Sequence, residues 1–382
     1  MKFEDFDLRQ DPFPIAPESS VVNWAGDQEI RDELVDIVKG VRARDIGVSE
    51  FVVVHGEFGA GKSHALRYLR TEICDNPSEY NSLAIYLERP RVANKLNFEN
   101  LAHYIMQSIG RENVASYSAN VKSIVDQLVN ELATSKGMGD TRDKGSFYEE
   151  VYSGFRDSDR SMIKLLARGN DQGNKVFEFL SGTAACDGSE YEGKIDSDFM
   201  AAKVLSDFFR VLTVDLRPDV QVRESVYLFI DECEGLFEAK SSESDLVFSG
   251  LRELINGLPY RFGILMSFTA ATALIEAVMP NHLLKRMTRP YIEIPVLDDH
   301  LAKDFLRSQL DFYRVDGSAH KGTFYPFSEE AVDVIIEHEV GLTPRVLFIN
   351  CKRVFERAIR RHGLERGDSI SPEVTRAILG IA

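Results

Sequence analysis

The stretch that decides the fold runs from Phe51 to Ser63 and reads FVVVH followed by GEFGAGKS. A short run of β-branched residues ends in glycines, and a helical pattern with Leu66, Leu69 and Ile73 on one face begins immediately afterwards. This order of strand, glycine-rich turn and helix matches the G-x-x-x-x-G-K-[ST] loop that binds nucleotide phosphates. The glycines let successive backbone N–H groups point inward at a phosphate, and the following helix adds its positive N-terminal end.

The residues of this loop have separate expected roles. Lys62 is expected to reach the β- and γ-phosphates, and the Ser63 hydroxyl is expected to ligate Mg²⁺. We therefore predict ATP and Mg²⁺ as the ligands of the site. The other residues expected to contact the nucleotide are Gly56, Glu57, Phe58, Gly59, Ala60, Gly61 and His64.

The composition is that of a globular protein with room for two or three domains in its 382 residues. The four cysteines form no C-x-x-C pair, which argues against a zinc site or a disulfide scaffold and favours a cytoplasmic location. No apolar run approaches the length of a membrane span, so no membrane partner is expected. Because the net charge is −16, any contact with DNA must come from a local basic patch.

A second stretch, SVYLFIDE from Ser225 to Glu232, ends a long apolar run in two acidic residues. Such a run suits a central parallel strand that is buried on both faces. Carboxylates at its end need a cation or hydrogen-bond donors, since buried charge without a partner is costly. We predict that Asp231 contributes to the Mg²⁺ site and that Glu232 polarises the attacking water. Glu234 extends the acidic cluster and is expected to start a helix rather than to act in catalysis.

The remaining strands predict an α/β fold with a five-stranded parallel sheet. Residues 82–87 form the second strand, residues 261–269 form a buried strand, and residues 291–294 complete the sheet. Helical periodicity between residues 97 and 222 indicates a helical insertion between the second and third strands. From residue 297 the pattern is helical to the end, which divides the chain into a core, residues 1–296, and a helical lid, residues 297–382.

The order of these features resembles the AAA+ ATPases of the origin-recognition and transposition types, which are P-loop NTPases. The resemblance includes the turn from Trp24 to Asp27 ahead of a helix, although Asp27 stands where the family often has arginine. It implies that Ser267 or Thr269 fills the sensor-1 position, which orients the lytic water; capping of the strand end is the alternative. The stretches 175–182 and 230–236 also look like the ATP-binding proteins of BREX-type phage defence.

The same resemblance assigns roles to three arginines. Arg286, or as second choice Arg289, is similar to the arginine finger that acts on ATP in a neighbouring subunit; a structural salt bridge is the alternative. Arg345 follows Thr343, a helix N-cap, and a proline at the first helical position, so it lies in the first turn of a lid helix. It resembles the sensor-2 arginine, which reaches from the lid to the γ-phosphate.

The function expected from the sequence is that of a Mg²⁺-dependent, ATP-hydrolysing switch that assembles into a homo-oligomer. It is expected to act with DNA and partner proteins in DNA processing or phage defence. The alternative is a signalling or adaptor ATPase that recruits a protein without contacting nucleic acid, and a phosphotransferase is least favoured because nothing resembles an acceptor site. Two basic patches are candidates for DNA contact, although each is also compatible with a solvated face: Arg89, Arg91 and Lys95, and Arg353, Arg357, Arg360 and Arg361.

Overall fold

A five-stranded parallel sheet forms the centre of the molecule in a computed structural model, as the sequence predicts. The structure describes residues 3–15, 23–43, 48–90, 95–137, 145–168, 173–186, 191, 193–289 and 291–381. The strand order is β2-β3-β4-β1-β5, so the strand before the phosphate loop lies between β4 and β5. The strands are β1 Glu50–Gly56, β2 Leu83–Leu87, β3 Val226–Ile230, β4 Phe262–Phe268 and β5 Ile292–Ile294.

The helices precede, connect and follow these strands. Among the described residues, no helix is long and apolar enough to cross a membrane. A 3-10 helix at Phe3–Phe6 comes first. The α-helices, in chain order, are α1 Gln28–Arg42, α2 Lys62–Asp75, α3 Phe98–Ile109, α4 Arg111–Ser135, α5 Gly145–Gly154, α6 Asp157–Ala167, α7 Gly173–Leu180, α8 Asp198–Thr213, α9 Gly235–Glu238, α10 Ser241–Gly257, α11 Thr272–Val278, α12 Asn281–Leu284, α13 Asp299–Phe312, α14 Glu329–Glu337, α15 Pro344–His362 and α16 Pro372–Leu379.

Both faces of the sheet are covered by helices, which explains why its strands read as continuous apolar runs. In β1, Phe51 and Val53 point to one hydrophobic cluster, while Val52 and Val54 point to another. The first cluster contains apolar side chains of α3, α4 and α8. Of these helices, α3 packs on β2, and Phe209 of α8 lies 5.9 Å from Phe262 of β4 between ring centroids. The second cluster is built from α1 and α2.

Helices α13 to α16 surround a third hydrophobic cluster, and the N-terminal segment packs into it. Phe6, Leu8 and Phe13 are buried there, with the Phe6 ring edge-on to Phe355 at 5.1 Å between centroids. The division drawn from the sequence placed this segment with the ATPase core. Its side chains instead lie among those of the lid because the segment pairs with the end of α13, where Leu8 forms a bridge to Arg314.

Candidate functional site

The phosphate loop joins β1 to α2, and the side chain of Lys62 folds back onto the start of the loop. Gly61 precedes the helix with φ +116°, a conformation that favours glycine. The Lys62 ammonium donates to the carbonyl oxygens of Gly56 at 3.0 Å and Glu57 at 2.9 Å, and Lys62 is only 7% exposed. Burial lowers the pKa of Lys62, and the nearby carboxylates of Glu234, Asp231 and Glu57 partly oppose that shift.

The Asp231 carboxylate, at the end of β3, is held by two hydroxyl groups. The Tyr86 hydroxyl donates to Oδ2 at 2.6 Å, and the Ser267 hydroxyl donates to Oδ1. Asp231 is 3% exposed, so these donors satisfy a buried charge beside the phosphate loop. Tyr86 lies on β2 and Ser267 on β4, and these strands flank β3 in the sheet.

Ser267 also reaches the backbone of the next acidic residue. The Glu232 N–H donates to Ser267 Oγ at 3.2 Å, and Glu232 has φ +46°, an uncommon conformation for a residue with a side chain. The Glu232 side chain is exposed to the cavity, whereas that of Asp231 is buried. One serine hydroxyl therefore fixes the positions of both acidic residues.

Thr269 has a different environment from Ser267. Its backbone N–H donates to the Glu234 carboxylate, and both residues line the cavity. Glu234 immediately precedes α9, in agreement with its predicted place at a helix start. The sequence left Ser267 and Thr269 open for one role, and it is the Ser267 side chain that contacts Asp231.

The lid contributes Arg345 to the same site. Thr343 caps α15, its hydroxyl accepting the Val346 N–H at 3.4 Å, and so sets where the helix begins. The Arg345 N–H then donates to the carbonyl of Gly59 at 3.4 Å. The Arg345 guanidinium carbon lies 4.9 Å from the centroid of the Phe58 ring. The lid helix is thus docked on the phosphate loop.

Core and lid enclose a cavity of about 790 Å³, within the size range of small-molecule sites. His64 follows the loop serine, and its Nε2 is 2.9 Å from the carbonyl of Asn23. Burial lowers the pKa of His64. The apolar part of the wall comes from both domains and includes Ile15, Trp24, Ile30, Leu301, Phe305, Phe312 and Phe348. The residues predicted from the sequence to bind nucleotide that line it are Phe58, Gly59, Ala60, Gly61, Lys62, Ser63, His64 and Arg345.

The two candidate finger residues lie away from this cavity. Arg289 is engaged within the chain, with Nε 3.8 Å from Oε1 of Glu50, a carboxylate that also accepts from the Thr288 hydroxyl. Arg286 is exposed beyond α12, and no described acidic side chain forms an ion pair with it. The two arginines that the sequence left as alternatives therefore differ in environment, since Arg289 contacts Glu50 and Arg286 is exposed.

The predicted basic patches are only partly exposed surfaces. Arg89 lies at the cavity and Lys95 is exposed, while Arg91 falls outside the described residues. In α15, Arg357 donates to the carbonyl of Ile378 at 3.4 Å, and Arg360 pairs with Glu356 at 3.7 Å. Arg353 and Arg361 are exposed.

Sequence reasoning missed Tyr86 and the residue that holds it. Arg67, on α2, donates from Nε to the Tyr86 hydroxyl at 3.1 Å, and its guanidinium lies 4.7 Å from the centroid of that ring. These contacts connect the helix of the phosphate loop to Asp231. The signal available in the sequence is a tyrosine near the end of β2. The order of the strands along the chain does not show that β2 lies next to β3, the strand that ends at Asp231.

No protein-family model and no curated protein matches the chain. Solved structures match its fold: ORC2 of Aeropyrum pernix in ADPNP–ADP complexes has a TM-score of 0.50 at 12% identity, over 96% of this chain and 70% of that one. ORC1 of Aeropyrum pernix in complex with DNA gives 0.48 at 12% identity, over 97% and 69% of the two chains. Cdc6p of Pyrobaculum aerophilum gives 0.45 at 14% identity, over 99% and 70%.

At these identities the likeness concerns the fold alone. The chain has the fold of the AAA+ P-loop ATPases of the origin-recognition type, as its resemblance to them predicts. The looser resemblance to BREX-type proteins and the roles of the individual site residues stay predictions.

Proposed function

We propose that this protein is a Mg²⁺-dependent ATPase whose lid responds to the bound nucleotide. The observation that carries the proposal is the convergence of Lys62, Asp231, Glu232 and Arg345 on one cavity between core and lid. They come from three separate parts of the chain: the start of α2, the end of β3 and the first turn of α15. Proximity along the sequence therefore does not account for their meeting at one cavity. The ADPNP and ADP named for Aeropyrum pernix ORC2 support the choice of nucleotide.

The residues present fit ATP and Mg²⁺. A Cβ added at Gly61 would meet no atom of the described residues within 4 Å, which leaves room for a phosphate beside the backbone N–H groups. Carboxylate and hydroxyl oxygens are the ligands that Mg²⁺ takes in such sites, and Asp231 and Ser63 would hold it. Bound there, the ion would neutralise charge on the phosphate oxygens.

The chain's own groups have distinct parts in hydrolysis. Lys62 binds the β- and γ-phosphates, which replace the two carbonyl oxygens that its ammonium contacts. The Glu232 carboxylate orients the attacking water and accepts its proton. The Ser267 hydroxyl contacts both Asp231 and Glu232, so it keeps the metal ligand and the general base at a fixed position relative to each other.

For the wider role, we propose an oligomeric switch that acts with DNA and partner proteins in DNA processing or phage defence. The exposed position of Arg286 supports a contact with the nucleotide of a neighbouring subunit. Residues 344–381 carry eight Lys and Arg against four Asp and Glu in a chain with net charge −16. This local excess, with Arg353 and Arg361 exposed, supports a contact with phosphates.

A specific observation favours the adaptor alternative. Two of the four arginines of the basic patch on α15 are engaged within the lid, Arg357 with the carbonyl of Ile378 and Arg360 with Glu356. A guanidinium that already contacts an oxygen atom within the chain binds an external phosphate less strongly. In the adaptor role, the lid would present its surface to a protein partner and nucleic acid would leave ATP hydrolysis unchanged.

ATP hydrolysis measured with and without duplex DNA tests both levels of the proposal. Turnover by the wild type that is lost in Lys62→Ala supports the ATPase, and the absence of turnover would contradict it. Stimulation by DNA that falls with salt and is lost in Arg353→Glu/Arg361→Glu supports the DNA role. The matched control is Arg156→Glu/Lys321→Glu, which makes the same charge change at exposed positions of the insertion and the lid. Equal hydrolysis with and without DNA would favour the adaptor.

A further inference from the structure

Phe58, the third residue of the phosphate loop, is a large apolar side chain that is 67% exposed, although it lies at the nucleotide cavity. The contact that distinguishes it is with the lid, where the Arg345 guanidinium carbon lies 4.9 Å from its ring centroid. A guanidinium at this distance from an aromatic ring is attracted by the electron-rich face of the ring. Phe58 thus presents a surface on which a cation of the lid rests.

The backbone fixes where this contact forms. The Arg345 N–H donates to the Gly59 carbonyl at 3.4 Å, next to the stacked ring. A Cβ at Gly59 would lie 2.9 Å from Cβ of Arg345 and 3.1 Å from the hydroxyl oxygen of Thr343. Gly59 also has φ +82°, so both space and conformation require glycine at this position. Because the two backbones approach so closely at Gly59, the Arg345 side chain lies beside the phosphate loop in the wall of the cavity.

The arginine has no competing anionic partner within the part of the chain that is described. No described carboxylate forms an ion pair with Arg345, in contrast to Arg289, which pairs with Glu50. A long, flexible side chain without such a partner would otherwise sample many rotamers, and ordering it on binding has an entropic cost. The ring of Phe58 restricts those rotamers before a ligand is present.

We propose that Phe58 is a positioning residue that holds the Arg345 guanidinium over the phosphate loop, ready for the γ-phosphate. The inference rests on the proposed ATPase function and adds a specific consequence to it. ATP carries the γ-phosphate and ADP lacks it, so Phe58 contributes to the preference for ATP over ADP through Arg345. Its contribution to nucleotides that lack this phosphate is small.

The test is the affinity for ATP and for ADP, each with Mg²⁺, measured by calorimetry on the full chain. In Phe58→Leu, which keeps an apolar side chain and removes the aromatic face, we expect the ATP affinity to fall roughly two- to fivefold. The ADP affinity falls by a smaller factor, and Phe58→Tyr, which keeps a ring, retains the wild-type ratio of ATP affinity to ADP affinity. Thermal unfolding of each variant verifies that the fold is retained.

A double variant makes the test specific for Arg345. If Phe58 acts through Arg345, then Phe58→Leu/Arg345→Ala binds ATP no more weakly than Arg345→Ala alone. Equal losses for ATP and ADP in Phe58→Leu, wild-type ATP affinity in that variant, or additive losses in the double variant would each overturn the inference. Failure of the wild type to bind ATP would instead contradict the proposed function, so the two failures are distinguishable.

Discussion

The Tyr86 hydroxyl donates to Oδ2 of Asp231 at 2.6 Å, across the boundary between β2 and β3. Burial and the adjacent carboxylate raise the pKa of Tyr86, so its hydroxyl stays protonated and remains a donor. Arg67 holds the same hydroxyl from the helix of the phosphate loop. Tyr86 therefore connects the predicted metal ligand to the helix that follows the predicted phosphate loop.

Removing the Tyr86 hydroxyl tests this connection. Hydrogen bonds to charged groups contribute about 1.5–3 kcal/mol, so Tyr86→Phe should weaken Mg²⁺-dependent ATP binding by roughly tenfold or more. The measurement is ATP affinity as a function of Mg²⁺ concentration. Tyr68→Phe is the matched control, because its hydroxyl accepts from Arg31 and does not reach Asp231. An unchanged Mg²⁺ requirement in Tyr86→Phe would contradict the positioning role.

Ser267 and Thr269 should differ sharply when each is replaced by alanine. Ser267→Ala removes the hydroxyl between Asp231 and Glu232 and leaves a buried carboxylate oxygen without its donor, a cost of about 1–3 kcal/mol in unfolding free energy. We expect a large loss of turnover, in addition to the weaker Mg²⁺-dependent ATP binding that loss of a donor to Asp231 causes. Thr269→Ala keeps the backbone N–H that contacts Glu234 and should change turnover little. The reverse order of effects would assign the sensor-1 position to Thr269.

The contrast between these residues shows what the sequence can and cannot predict. The phosphate loop and the pair Asp231 and Glu232 are contiguous, and the strands around them are apolar runs, so motif and fold class follow from the chain itself. Which hydroxyl meets Asp231 depends on the register of β3 and β4, in which Ile230 lies opposite Met266. That register is a pairing between residues far apart in the chain, so it cannot be predicted from the sequence of either strand alone.

The same limit applies to the N-terminal segment. Phe6 and Phe13 lie in no periodic pattern from which their packing partners could be predicted. Those partners are residues of the lid, at the far end of the chain. Lys352 on α15 forms an ion pair with Asp11, which adds a charged contact between these distant segments. Contacts of such large sequence separation follow from tertiary packing and not from local propensity.

The stability of the protein should fall as the pH is lowered below neutrality. Burial lowers the pKa of His64, as it does for His55 and His103, so the unfolded chain binds protons more readily than the folded one. Stability is then fully present above the ordinary histidine pKa of about 6.5 and is lost as the pH falls through the lower folded pKa. Urea unfolding between pH 7.5 and 5 measures it. His64→Gln should show a shallower loss, and an identical slope would contradict the contribution of His64.

Arg286 and Arg289 should affect different properties. Arg289→Ala breaks the contact with Glu50 and should lower the unfolding temperature, whereas Arg286→Ala should leave that temperature unchanged and abolish turnover. If Arg286 acts on the nucleotide of a neighbour, mixing Arg286→Ala with Glu232→Gln should restore activity. A site that takes Glu232 from the Arg286→Ala subunit and Arg286 from the Glu232→Gln subunit is complete, whereas the opposite arrangement lacks both groups, so the recovery is partial. Absence of any recovery in mixtures that assemble would contradict a role between subunits.

The central claim is that Glu232 activates the water that hydrolyses ATP bound at Lys62 and Asp231. Phosphate release by Glu232→Gln at saturating ATP and Mg²⁺, beside the wild type, tests it most directly. The glutamine keeps the shape of the side chain and cannot accept the proton, and general-base catalysis typically contributes roughly 10²- to 10⁴-fold. The account predicts that Glu232→Gln binds ATP as the wild type does and loses turnover by that factor. Wild-type phosphate release by Glu232→Gln would contradict it.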